Sequence, residues 1–301
     1  MSASWIRGQL LSTDQNASRF LGLPPEHSDP DRAAVAIVPV PYDVTSTWKK
    51  GADRGPDAIL EASAQLELYD IETSSEVWQR GIATLDPILC TGPPEQLVEL
   101  VEQSVGGIFD RGQLPVVLGG EHSVTIGAVQ AAADRFDDLT VLQIDAHADT
   151  RDSYEGSDFN HACVMARARE RCPVAQVGIR SLDVSELPGL DLDRVFFAHT
   201  LQESDHEWMD AMIDRLSEKV YLTIDLDAFD PSLLPATGTP EPGGLSWGTV
   251  NELVRRVASS CQIVGFDVVE LLPSPGQHAS DFIAAKLVYR VLSMVLSRRP
   301  R

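Results

Sequence analysis

The feature of this chain that most limits its fold is the alternation of short apolar runs with longer amphipathic stretches from residue 33 onward. The runs are rich in β-branched residues, and this alternation is typical of βαβ units that build a mostly parallel sheet. Because the runs are almost continuously apolar, we expect an α/β fold whose strands are covered by helices on both faces. The predicted strands are 33–40, 114–119, 139–147, 174–179, 219–227 and 262–270.

The stretches between the strands are predicted to be helices, and two of them carry start signals. Gly55-Pro56 places a proline in a first helical turn, where its missing N–H costs nothing, and Ser246 stands where an N-cap is expected. No linker divides the chain, so we expect one domain over residues 33–301. Residues 1–32 are predicted to form an arm over the surface or a subunit contact. The predicted helices are 55–67, 94–110, 122–134, 204–217, 246–259 and 280–297.

Composition excludes several classes of partner. The 301 residues include 24 Lys and Arg against 45 Asp and Glu, which gives a formal charge of -21. A nucleic-acid surface needs clustered cations, so no nucleic-acid partner is expected. The chain has no signal-peptide core and no apolar run of the roughly 18 residues that a membrane span needs, so we expect a cytoplasmic protein without a membrane partner. Its four cysteines form no paired motif, which argues against disulfides and a thiolate zinc site.

Metal-competent side chains follow three of the predicted strands at their carboxyl ends, where ligands bind in parallel α/β sheets. A histidine follows strand 114–119, an Asp-x-His-x-Asp motif ends strand 139–147, and an Asp-x-Asp motif ends strand 219–227. In an extended chain, residues two apart point the same way, so the members of each motif can converge. The predicted ligands are His122, Asp145, His147, Asp149, Asp225 and Asp227.

The charges of this set indicate how many ions it binds. Four aspartates buried together repel one another unless cations neutralise them, and two divalent ions supply the matching charge. An oxygen-rich set favours Mn²⁺ over zinc, with other divalent ions such as Ni²⁺ as alternatives. Two ions about 3.5 Å apart also lower the pKa of a water held between them, so hydroxide is the expected nucleophile.

Two further residues lie near the predicted metal site. Glu270 ends strand 262–270, where a carboxylate can pair with a planar cation such as guanidinium. His161 follows the Asp-x-His-x-Asp motif and can protonate a leaving group. Each also has a structural explanation, as a capping or rim glutamate and as a hydrogen-bonded loop histidine. Gly119 and Gly120 are expected to let the chain turn sharply enough to aim His122 into the site.

These motifs together resemble the ureohydrolase family, which comprises arginases, agmatinases and formimidoylglutamases. GGEHSVT, DAHADTR, DLDAFDP followed by TGTPEPGG, and GFDVVE occur in the family's order over nearly all of the chain from about residue 33. The resemblance implies a three-layer α/β/α fold, two Mn²⁺ ions and a homo-trimer or homo-hexamer. It also implies a proton-shuttling role for His161 and guanidinium binding by Glu270. One ion is implied at His122, Asp145, Asp149 and Asp225, and the other at Asp145, His147, Asp225 and Asp227.

Within the family, the segments VPYDVTSTWKKGADRGPDAIL and VGIRS resemble the agmatinase branch, which implies hydrolysis of agmatine to putrescine and urea. Arg151 opposes a dicationic substrate unless Asp152 or Glu155 neutralises it. Aminopropylagmatine, guanidinobutyrate, arginine, guanidine and formimidoylglutamate therefore stay open as substrates. A one-zinc deacetylase of the same superfamily would not need both His122 and Asp149. A non-catalytic oligomeric binding protein is disfavoured because no ligand is lost.

Overall fold

The computed structural model describes residues 19–201 and 207–298. Its centre is an eight-stranded sheet with the order β2-β1-β3-β8-β7-β4-β5-β6, in which every neighbouring pair is parallel. The expected α/β fold with a parallel central sheet is therefore confirmed. The strands are β1 (Val35–Val40), β2 (Ile82–Thr84), β3 (Leu114–Gly119), β4 (Leu139–Ile144), β5 (Val174–Ile179), β6 (Val195–Phe197), β7 (Lys219–Asp225) and β8 (Gln262–Val269).

Helices cover both faces of the sheet and make it the middle of three layers. Successive residues of β1 show this directly, because Val35 and Ile37 join one apolar cluster while Ala36 and Val38 join the other. The first cluster also contains residues of α2, α6, α7 and α8, and the second contains residues of α3, α4 and α5. The helices are α1 (Pro25–Ser28), α2 (Gly55–Ser63), α3 (Pro94–Asp110), α4 (Val124–Arg135), α5 (Val164–Arg169), α6 (Glu207–Ile213), α7 (Trp247–Ser260) and α8 (Ala279–Leu296).

Several predicted boundaries agree with the structure, and the local signals explain why. Helix α3 has the predicted bounds, Pro56 lies in the first turn of α2, and the Ser246 side chain accepts a hydrogen bond of 3.1 Å from the Thr249 N–H. The edge strands β2 and β6 were not predicted, because each has only three residues and lacks a long apolar run. Of the predicted helix 204–217, residues 204–206 fall outside the described part of the chain.

Three predicted strands are too long at their carboxyl ends. Strand β4 ends at Ile144 and not at residue 147, β7 ends at Asp225 and not at 227, and β8 ends at Val269 and not at 270. The backbone explains two of these ends, because Asp225 caps a 3-10 turn and Glu270 adopts a positive φ of 65° that no strand can contain. Asp149, five residues beyond β4, also has a positive φ, of 52°. The motif residues therefore lie in tight turns just beyond the sheet.

The described part of the N-terminal segment packs against the domain. Phe20 and Leu23 are buried in the first apolar cluster, and the backbone N–H of Leu21 donates to the Ser63 hydroxyl at the end of α2 at 2.8 Å. Residues 19–32 thus contribute side chains to the core, while residues 1–18 of the predicted arm lie outside the described residues. Within the described ranges, no helix combines the length and apolarity needed to cross a bilayer.

The strand order decides where the site forms. β3, β8, β7 and β4 are consecutive neighbours at the centre of the sheet and all point the same way. The chain crosses from β3 to β4 past two other strands, and such a switch in order leaves a crevice at the carboxyl ends of the strands. The motifs that follow these four strands therefore meet at one place.

Candidate active site

His122 lies at the centre of the first group of acidic residues. The imidazole Nδ1 is 3.2 Å from a carboxylate oxygen of Asp145, 3.0 Å from one of Asp149 and 3.4 Å from one of Asp225. All four residues are buried. The donor atoms of His122, Asp145 and Asp149 lie within 4.8 Å of one another, a spacing that fits one metal ion.

A second group shares Asp145 with the first. His147 Nδ1 lies 2.9 Å from a carboxylate oxygen of Asp227 and 3.8 Å from one of Asp145. The donor atoms of Asp145, His147 and Asp227 also lie within 4.8 Å of one another. The structure thus brings all six predicted ligands together in two adjoining groups, as a pair of ions requires.

Tight turns aim these carboxylates. Asp145 accepts a hydrogen bond from the His147 N–H at 2.6 Å, and Asp225 accepts one from the Asp227 N–H at 2.8 Å. Asp149 has a left-handed backbone, and its carbonyl accepts the Met165 N–H at the start of α5 at 2.9 Å. Each carboxylate therefore has a fixed direction that does not depend on strand pleating.

The tautomer of His122 is suited to metal binding. The Thr223 hydroxyl donates to the Asp267 carboxylate at 2.6 Å, so its oxygen must accept the Nε2–H of His122 at 2.9 Å. In the neutral ring that binds a metal, Nδ1 is then the nitrogen with the free lone pair, and it is buried without a hydrogen bond of normal geometry. A lone pair aimed at carboxylate oxygens is repelled unless a cation lies between them, so these residues fit a metal ion.

The charges of the cluster fit divalent cations as well. Burial, with Asp227 and Asp149 close by, raises the pKa of Asp145 to about 7, and burial with the same neighbour Asp227 raises the pKa of Asp225 well above its usual value. Burial opposes the charged form of His147, but Asp227 and Asp145 outweigh it and raise its pKa to about 11. Neighbouring negative charge contributes to each shift, and divalent cations would relieve it.

Glu270 and His161 line the same cleft, which has a volume of about 290 Å³. Glu270 accepts a hydrogen bond from the His122 N–H at 2.8 Å, and burial together with the nearby charge of Glu121 raises the pKa of Glu270 well above its usual value. His161 begins a short 3-10 turn, and its Nδ1 lies 3.0 Å from the Thr45 hydroxyl. Both predicted catalytic residues therefore line the cleft beside the six predicted metal ligands, which we call the metal cluster.

Gly120 is needed where the chain turns after β3. A Cβ at this position would lie 2.0 Å from the Tyr42 carbonyl oxygen, so any side chain is excluded. The carbonyl of Gly120 accepts the Glu270 N–H at 2.8 Å, which ties the ends of β3 and β8 together. The prediction that glycine shapes this turn is confirmed at Gly120, and the close approach of another backbone segment is the reason.

Arg151 lines the cleft, but its charge is balanced by residues other than those expected. Its guanidinium lies 3.9 Å from Asp183 and 4.0 Å from Glu186, and it covers the Tyr154 ring at 4.7 Å. Asp152 points into solvent near Arg167. The acidic partners of Arg151 therefore come from the segment after β5, and not from its own loop as considered from the sequence.

Sequence reasoning missed the residues that support the site. Thr223 and Asp267 are fully buried. The signal available in the sequence was a polar residue inside an otherwise apolar strand. Glu121 and Thr45 form a second buried pair beside His161. Arg180 clamps the loop that carries Asp227, because its guanidinium donates to the Asp227 and Glu241 carbonyls, each at 2.7 Å.

Comparison with known proteins identifies the family. An N(1)-aminopropylagmatine ureohydrolase of Synechocystis sp. is 39% identical over 273 residues, covering 86% of this chain and 88% of that protein. An agmatinase of Pyrococcus horikoshii is 33% identical, covering 86% of this chain and 90% of that protein. The crystal structure of agmatine ureohydrolase of Thermoplasma volcanium superposes with a TM-score of 0.82 at 32% identity, covering 90% of this chain and 92% of that one. The sequence model of the arginase family matches residues 33–294, and the chain therefore belongs to the arginase family of hydrolases.

Proposed function

We propose that this chain hydrolyses a linear guanidino amine to urea and an amine, using two divalent ions at the six clustered ligands. Activity on guanidino compounds is the common property of the ureohydrolases that it resembles. The ions, for which we propose Mn²⁺, supply Lewis-acid activation of water and neutralise the cluster. Oxygen donors outnumber nitrogen donors in the cluster, which supports the choice of Mn²⁺.

The observation that carries this proposal is the position of Glu270. Its half-buried carboxylate lines the cleft beside His122 and Asp227, and its left-handed backbone is pinned to Gly120. Its raised pKa and its left-handed backbone are each costly, and such strain at a cleft is typical of a ligand-binding residue. A guanidinium offers paired N–H donors and a positive charge that would stabilise the ionised form.

The far part of the cleft favours a cationic tail. Arg151 carries one positive charge there, but Asp183 and Glu186 provide two negative charges within 4.0 Å of it. Hydrogen bonds from Ser185 lower the pKa of Asp183, so it is ionised at neutral pH. The net charge of this group is negative, which supports agmatine or aminopropylagmatine over a substrate with a carboxylate tail.

Between these two amines, the comparisons support aminopropylagmatine. The relatives that share 39%, 37% and 34% identity with this chain are each called N(1)-aminopropylagmatine ureohydrolase, and the agmatinase of Pyrococcus horikoshii shares 33%. We therefore place aminopropylagmatine first and agmatine second. Assembly as a homo-trimer or homo-hexamer stays a prediction, which light scattering of the purified protein tests.

The test measures urea release by protein loaded with Mn²⁺, Ni²⁺ or Zn²⁺ from aminopropylagmatine, agmatine, arginine, guanidinobutyrate and guanidine. We expect the highest kcat/KM for aminopropylagmatine with Mn²⁺. Glu270→Gln keeps an oxygen for the His122 N–H but loses the charge, so kcat/KM should fall about 100-fold, or ~2.7 kcal/mol.

Glu99→Gln, on the exposed face of α3, is the matched control. No urea from any substrate would refute the proposed reaction. Preference for guanidinobutyrate would instead support the proposed hydrolysis but indicate that Arg151 binds a carboxylate at the substrate's tail.

A further inference from the structure

Glu121 is a buried carboxylate that the metal cluster does not use. It is fully buried and accepts hydrogen bonds on both oxygens. Oε1 receives the hydroxyls of Thr45 at 2.7 Å and Ser123 at 2.6 Å, while Oε2 receives the backbone N–H groups of Thr45 and Ser46. Four donors from two segments of the chain thus fix the start of the loop after Tyr42 against the turn after β3.

The hydrogen bonds of Thr45 have only one consistent direction. Its hydroxyl proton must point to Glu121, because otherwise two oxygen acceptors would face each other at 2.7 Å. The Thr45 oxygen must then accept from its other two neighbours, the backbone N–H and the ring Nδ1 of His161, each at 3.0 Å. Nδ1 of His161 therefore carries a proton, and Nε2 is left to exchange protons in the cleft.

We propose that Thr45, anchored by Glu121, is a positioning residue that fixes the orientation and tautomer of His161 for proton transfer to the leaving amine. This inference rests on the proposed hydrolysis of a guanidino amine. Thr45 holds both the backbone and the ring of His161, so a single side chain sets where Nε2 points. The anchor is rigid because Glu121 is saturated with donors and excluded from water.

The step that Thr45 supports balances as a hydrolysis. Water supplies the oxygen of urea, and the bond between the guanidino carbon and the substituted nitrogen breaks. That nitrogen keeps the bonding electrons and takes a proton from Nε2 of His161. The imidazole regains a proton from the added water through the solvent, so no other reactant is consumed.

The test compares two substrates that differ in the basicity of the departing amine. One is the best guanidino amine, and the other is its analogue with two fluorines on the carbon β to the departing nitrogen. A less basic amine leaves with less help from an acid. In single turnover, Thr45→Val should slow the parent substrate about 10- to 100-fold and the fluorinated analogue less than about threefold.

Thr45→Ser keeps the hydroxyl and should restore most of the rate on the parent substrate. Thr140→Val removes another buried, hydrogen-bonded threonine hydroxyl near the amino end of β4, away from the cleft. This variant controls for a general loss of stability. Equal losses on both substrates in Thr45→Val would overturn the inference, as would an unchanged rate on the parent. Thr45→Ala replaces the valine variant if that variant does not fold.

A measurement without turnover separates this inference from the proposed function. In ¹⁵N-histidine-labelled protein loaded with diamagnetic Zn²⁺, Nδ1 of His161 should carry the proton in the wild type. In Thr45→Val, this preference should be lost, while the signals of the other histidines stay in place. A neutral His161 with its proton on Nε2 in the wild type would refute the positioning role whatever substrate the enzyme hydrolyses.

Discussion

Replacing Thr223 by valine tests whether the hydrogen bonds behind His122 prepare it to bind a metal. The side chain keeps its shape, but the oxygen that accepts the His122 Nε2–H at 2.9 Å and donates to Asp267 at 2.6 Å is lost. His122 and Thr223 are both buried, so water does not replace the lost partner. The imidazole then has no reason to keep its proton on Nε2.

The size of the effect follows from this lost partner. An unsatisfied N–H in a buried position costs about 1–3 kcal/mol. The ring avoids that cost by moving the proton to Nδ1, where Asp149 lies 3.0 Å away, but this uses the lone pair that the ion needs. Metal binding must reverse the move, so the affinity should fall about 10- to 100-fold, or about 1.4–2.8 kcal/mol.

The assay is a titration of the metal-free protein with Mn²⁺ against a competing chelator, which reports both binding steps. The step that involves His122 should weaken in Thr223→Val, while the step that involves His147 should change less, because His147 has no contact with Thr223. Thr140→Val, near the amino end of β4, loses an equivalent buried hydroxyl and shows how far such a loss alone changes the metal affinity. Two unchanged dissociation constants would refute the reasoning.

Three further predictions concern the metal cluster and the core. Asp149→Ala should bind one equivalent of metal less and turn over at least about 1,000-fold more slowly. Its circular dichroism spectrum should be unchanged, because the Asp149 side chain does not belong to an apolar cluster. Near-normal turnover of the metal-loaded variant would contradict the two-ion assignment. Mn²⁺ at 100 times its dissociation constant should raise the free energy of unfolding by about 2.7 kcal/mol for each ion bound, and calorimetry without a shift in Tm would exclude specific binding to the folded state. Burial opposes ionisation of Asp70, but hydrogen bonds from Arg290 and Thr73 outweigh it and lower its pKa. Asp70→Asn should therefore lower the free energy of unfolding by about 3 kcal/mol near pH 7. The difference from the wild type should disappear as the pH falls through the lowered pKa of Asp70, because the wild type then also loses the charge. Urea unfolding near pH 7 and below that pKa measures the difference, and a constant difference would exclude the ion pair as its cause.

The sheet could be predicted because its central strands are buried on both faces. β3 and β5 have the predicted bounds, since an apolar run with a turn at each end leaves little choice of register. The edge strands β2 and β6 lack that signal, because three residues pair with only one neighbour and need no long apolar run. The order of the strands in the sheet also could not be predicted from local sequence, because it depends on which face of the sheet each connecting helix covers.

The predicted site residues meet in the structure, but the reason given for their convergence was wrong for Asp149. Side-chain alternation along a strand was expected to align residues 145, 147 and 149, whereas the strand ends at Ile144 and Asp149 has φ of 52°. Residues 225 and 227 likewise converge through a 3-10 turn that Asp225 caps. The residue types were a sound guide to which side chains come together, because carboxylates and imidazoles after buried strands have few structural uses.

Left-handed residues at two of these positions show why the turns matter more than the strands. Positive φ costs a non-glycine residue about 1 kcal/mol or more, and the surrounding hydrogen bonds must hold it. At Asp149 the carbonyl accepts the first N–H groups of α5, and at Glu270 the N–H donates to Gly120. A strand would point alternate side chains to opposite faces of the sheet, away from the crevice. Turns just beyond the strand ends can aim a carboxylate along the strand axis, and the strained backbone thus helps to place Asp149 against the other predicted ligands and Glu270 against the cleft.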